Sequence, residues 1–115
     1  MSQSTQVAEP EAKAKAVSYS MLGSRQAKFT FPLSSTSTRR EVAAFNPPAG
    51  TRVATIALQD FDLKYREKDH YDFGQLQIAL TTSNSEAVCT ATLRDDNVNK
   101  REWHGTVTGI VTFFG

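Results

Sequence analysis

Cysteine is nearly missing from this chain. Cys89 is the only one in 115 residues, which excludes an intramolecular disulfide framework and fits a reducing compartment. Its place in the alternating run AVCTATL makes it a small buried hydrophobe rather than a reactive thiol. An excess of charge of one sign is missing too. Thirteen Lys and Arg against 12 Asp and Glu leave a formal net charge of +1, so no bulk field draws in nucleic acid or an anionic membrane. Long hydrophobic runs are absent: nothing approaches the roughly 20 apolar residues of a membrane helix, and MSQSTQVAEPEAKAKAV has no apolar core of signal-peptide length. The expectation is a soluble protein without membrane insertion or a classical export signal, cytoplasmic or non-classically released.

Catalytic machinery is equally sparse. The two histidines, His70 and His104, stand in no nucleophile elbow, and the six glycines are too scattered for a phosphate loop or a dinucleotide fingerprint. No enzyme and no cofactor are expected. In DDNVNK, Asp95, Asn97 and Asn99 have the spacing that opens a calcium loop. Lys100 stands at the glycine position, however, and Thr106 at the position of the bidentate Glu, so the segment reads as a polar hairpin loop. A zinc site would need His70 and His104 to converge from different loops. No metal is expected.

What is present is a period of two. After a polar segment at 1–18, read as a flexible N-terminal tail, residues 19–115 form a single domain of alternating runs. In AKFTFPL the residues Ala27, Phe29, Phe31 and Leu33 share a face, and Pro32 marks an edge strand. RREVAAF follows, then the breaker NPPAG. In TRVATIALQDFDLKY, Ile56 and Leu58 share one parity and Phe61, Leu63 and Tyr65 the other, which predicts a bulge near Gln59 and Asp60. FGQLQIALTT directs Leu76, Ile78 and Leu80 one way, and AVCTATL directs Ala87, Cys89, Ala91 and Leu93 inward. The closing GTVTGIVTFFG is apolar on both faces, as in a central strand or one covered by another subunit; alternatively Phe114 packs under the N-terminal segment. About six such runs without an amphipathic helix predict an all-β, antiparallel β-sandwich, with a small closed barrel as the alternative.

Two polar loops carry the binding candidates. One contributes Asp60, Asp62, Tyr65, Asp69, His70 and Tyr71, and the other Arg94, Asp95, Asp96, Asn97, Trp103 and His104. Short carboxylates, amides and a guanidinium beside aromatic rings are the groups that hold a sugar's hydroxyls and stack on its apolar side. With the strands in sequential antiparallel order both loops would leave one end of the sheet and form one site. Each aromatic also has a structural reading: Phe61 and Phe73 as core, and Trp103 as a cap on the sandwich with its indole N–H on a loop carbonyl.

The order FNPP (45–48), FDL (61–63), LQIAL (76–80), AVCTATL and a closing strand after Trp103-His104 resembles the H-type lectins over residues 26 to 114. The resemblance implies a six-stranded sandwich that assembles into trimers or hexamers and binds GalNAc-type sugars. Asp60 or Asp62 would supply the family's site aspartate. Gln75 or Gln77 stands where the family has an arginine, and RDDN occupies the place of its Trp-His pair. The expected function is therefore a non-catalytic, homo-oligomeric carbohydrate-binding module with a glycan ligand. A structural subunit of a larger particle, making contacts through the N-terminal arm and the last strand, is the alternative.

Overall fold

Residues that alternate apolar and polar every second position can bury one face only, and the chain folds to satisfy that pattern twice. A computed structural model describes residues 18–66, 73–95 and 101–115. Among them are six strands and no helix: β1 (Met21–Ser34), β2 (Thr38–Ala44), β3 (Val53–Tyr65), β4 (Phe73–Thr82), β5 (Glu86–Asp95) and β6 (Trp103–Phe114). They form two three-stranded antiparallel sheets, ordered β1-β6-β3 and β2-β5-β4. Residues 1–17, which make up almost all of the expected tail, lie outside the described residues.

The inner faces follow the sequence pattern. Ala27, Phe29 and Phe31 of β1 and Val107, Val111 and Phe113 of β6 are buried against Ala87, Cys89, Ala91 and Leu93 of β5. A bulge between Leu58 and Asp60 lets both halves of β3 serve one face. Ile56 and Leu58 pair with Val111 and Gly109, and Phe61 and Leu63 with Val107 and Gly105, all at odd positions of β6. Burial, joined by the nearby Glu41 carboxylate, pushes the Cys89 thiol up to about 11. The neutral, unreactive form is therefore held in place.

Two expectations change, and an open one, the place of the last strand, resolves to its central reading. Leu33 does not share the face of Phe31: the ladder slips between Phe31 and Ser34, where Pro32 has no N–H to give, and Leu33 turns outward. The strands do not run in sequential order, because the chain crosses between sheets after β1, β2, β3 and β5, leaving β4 and β5 as the only consecutive strands that pair. The doubly apolar β6 is central, paired with β1 and β3 along its length, so its edges are not available for docking. Phe114 lies beside Met21 and Val53 in that ladder.

One side chain ties the sheets together. Arg39 of β2 reaches across the sandwich to donate to the backbone carbonyls of Trp103, at 2.7 Å, and of Pro32. Its guanidinium lies 3.8 Å from the centre of the Trp103 ring, which packs 5.6 Å from Phe31. Desolvation outweighs the opposing pull of Glu41 and lowers the Arg39 pKa, yet the group stays charged at any physiological pH. The Trp103 indole N–H donates to the Thr36 carbonyl at 2.9 Å, pinning the β1–β2 connection to the same cluster. Removing the guanidinium takes away two charged hydrogen bonds and a cation–π contact. Arg39→Ala should therefore lower the urea-unfolding free energy by about 3 kcal/mol. Arg39→Lys should recover less than half of it, because an ammonium cannot stack and fork at once.

Candidate functional site

Downstream of the bulge, β3 presents Asp60, Asp62 and Lys64 on the outer face of the first sheet, in register with Thr108, Thr106 and His104 of β6. At the end of this face lies an open depression of about 470 Å³, lined by Thr30, Phe31, Pro32, Leu33, Asp62, Lys64, Arg66, His104, Gly105 and Thr106. The slip at Pro32 contributes directly, since it delivers Leu33 to the rim instead of the core. Lys64 Nζ stands 3.5 Å from Asp62 Oδ2, and Arg66 Nη1 stands 2.7 Å from Glu102 Oε1.

Gly105 belongs to this lining. Its φ is +149°, and a Cβ built there would lie 1.9 Å from the Asp62 carbonyl oxygen. Only glycine lets the β3 backbone approach β6 so closely. The same approach sets the position of Asp62 in the ladder.

The sequence candidates separate. Asp62 and His104 come together as diagonal cross-strand neighbours in the depression. Asp60 shares their face but lies outside the lining. Trp103 is 0% exposed with its N–H engaged, so it is a core residue and has no face to offer a ligand. Tyr65, opposite Trp103, is half-buried and packs on the core. Arg94 is exposed opposite Gln75 on the outer face of the second sheet, across the sandwich from Asp62 and His104, and does not join them. Asp95 pairs with Phe73 in the β4–β5 ladder. Asp69, His70, Tyr71, Asp96 and Asn97 lie outside the described residues.

The stems of the two loops do leave the same end of the molecule. Tyr65 pairs with Trp103, and the Arg66 N–H donates to the Glu102 carbonyl at 2.9 Å. Sequence reasoning missed Thr30, Leu33, Lys64, Arg66 and Thr106 as companions of Asp62. The parity of Asp60, Asp62, Lys64 and Arg66 beyond the bulge was the available signal; the β1–β6 pairing that brings in Thr30 has no local signature.

Among the described residues no three His, Cys, Asp or Glu side chains converge as metal ligands would, and no helix is long and apolar enough to cross a membrane. Compared with protein-family models, curated proteins and solved structures, the chain matches none.

The depression offers a carboxylate, an imidazole, two cations and two hydroxyl groups around a small apolar rim. Such a set has the donors and acceptors to hydrogen-bond a neutral polar ligand. Gly105→Ala should remove the depression together with stability. The forced φ and the clash with the Asp62 carbonyl would cost about 3 kcal/mol or more, read as an early thermal midpoint in circular dichroism. An unchanged midpoint would contradict the close approach.

Proposed function

We propose that this chain is a non-catalytic carbohydrate-binding module whose sugar site is the depression on the outer face of β3 and β6. The observation that carries the reading is the convergence of Asp62 and His104, two of the sequence candidates, with Thr30 and Thr106 in one open hollow. Its volume lies within the range of small-ligand sites. A monosaccharide needs short acceptors and donors for its hydroxyls and an apolar patch for its C–H face. Asp62 accepts, Lys64 and Arg66 donate, and Pro32 and Leu33 supply the patch that Trp103, being buried, does not. The two-sheet architecture fits the resemblance to H-type lectins, and GalNAc-type sugars are the first ligands to try.

A second reading, an assembling subunit, is favoured by a different observation. Leu58 and Phe61 of β3 and Leu76 of β4 belong to inner faces by register, yet are 47%, 45% and 37% exposed. Apolar side chains left at the rim of a core mark a surface for another chain.

On a glycan array the wild-type protein should bind at least one sugar class. Asp62→Ala and His104→Ala should each weaken that binding by about tenfold or more, the worth of one charged hydrogen bond. Arg94→Ala, on the opposite side, should leave it intact. Flat binding across all sugars would sink the proposal.

A further inference from the structure

The segment Asp60-Phe61-Asp62-Leu63-Lys64-Tyr65-Arg66 is antisymmetric in charge about Leu63. Two acids precede the leucine, two bases follow it, and one aromatic ring stands on either side. This segment sits on a sheet edge: β3 is hydrogen-bonded to β6 along one side and, among the described residues, to no strand along the other. A proline-free edge of 13 residues presents a row of N–H and C=O groups ready to template a further strand.

We infer that β3 pairs antiparallel with β3 of a second copy of this chain, about a twofold axis at Leu63, giving a continuous sheet β1-β6-β3-β3-β6-β1. The inference rests on the assembling reading above and names its partner and contact strand; it does not depend on sugar binding. In this register Asp62 opposes the partner's Lys64, Asp60 opposes the partner's Arg66, and Phe61 opposes the partner's Tyr65. Directly opposed residues share a face. The ion pairs therefore fall on the outer face and the aromatic pair on the inner face, where Phe61 is 45% exposed in the single copy.

Neighbouring registers fail on simple grounds. Centring the axis on Phe61 sets Asp60 against the partner's Asp62, and centring it on Tyr65 sets Lys64 against the partner's Arg66; both place like charges opposite each other. A slip of one residue would put charged side chains opposite apolar ones and reverse the faces. The contacts within one chain are compatible with the pairing. The Lys64–Asp62 contact is long, at 3.5 Å, and solvent-exposed on both sides, and a carboxylate has a second oxygen to offer. Arg66 carries five N–H groups, so its ion pair with Glu102 does not preclude another carboxylate. The axis also sets the two depressions side by side on one surface, so that weak sites would act together.

Sedimentation velocity on the full chain tests this with charge reversals. The wild type should dimerise. Asp62→Lys and Lys64→Asp should each weaken dimerisation by about tenfold or more, since each turns two attractive pairs into repulsive ones. The double variant Asp62→Lys/Lys64→Asp should restore the dimer. Mixing the two single variants should also restore it, because each then opposes its complement. Circular dichroism confirms that each variant keeps its sheets. A wild type that stays monomeric at high concentration would overturn both this inference and the assembling reading. An oligomer indifferent to all four arrangements would overturn the β3 pairing alone and leave assembly by another surface.

Discussion

The stacking of Arg39 on Trp103 is the interaction from which the rest of the arrangement follows. Two three-stranded sheets share a core of mainly small and medium side chains, with alanines at 27, 87 and 91 among the buried set. A core of that kind specifies the distance between the sheets weakly. The guanidinium supplies what the aliphatic packing lacks: it sits over the indole, and its N–H groups end on backbone carbonyls of β1 and β6. Because the indole N–H is committed to Thr36, the ring cannot swing away to meet a ligand. At the other end of β1, Arg25 lies over the Phe113 ring and donates to the Asn46 carbonyl, so the β1–β2 side of the sandwich is tied at both ends.

The opposite side is fastened differently. β3 and β4 are the outer strands there, and their inner-face residues Leu58, Phe61 and Leu76 stay partly in water. The bulge between Leu58 and Asp60 returns Phe61 and Leu63 to the inner face, and by the same step sets Asp60, Asp62 and Lys64 outward. One extra residue thus determines both which apolar groups reach the core and which charges reach the edge. The close approach at Gly105 then places Asp62 beside His104. Binding chemistry and strand-edge chemistry are properties of a single strand.

Much of the fold was legible because burial has a period. The inward set of β5 and the parity break in β3 follow from side-chain alternation, and the edge position of β1 from the N–H that Pro32 lacks. The pairing order was not legible, since a strand that crosses to the other sheet has the same alternation as one that stays. Consequently Asp62 and His104 could be brought together on paper, but so could Arg94, which the crossovers carry to the other side. Trp103 carried two readings in the sequence because an aromatic beside a polar loop suits a cap and a ligand platform equally. Arg39 in the facing strand decided between them, and nothing local to Trp103 announces that arginine.

Since Trp103 is the only tryptophan, its fluorescence reports on this cluster without interference from another indole. The account predicts blue-shifted emission shielded from acrylamide in the folded protein, with both properties lost in the same urea transition as the β-sheet circular dichroism signal. Water-like emission that acrylamide quenches freely in the native state, or quenching relieved by added sugar, would contradict it, because either result would place the ring at the surface and not under Arg39.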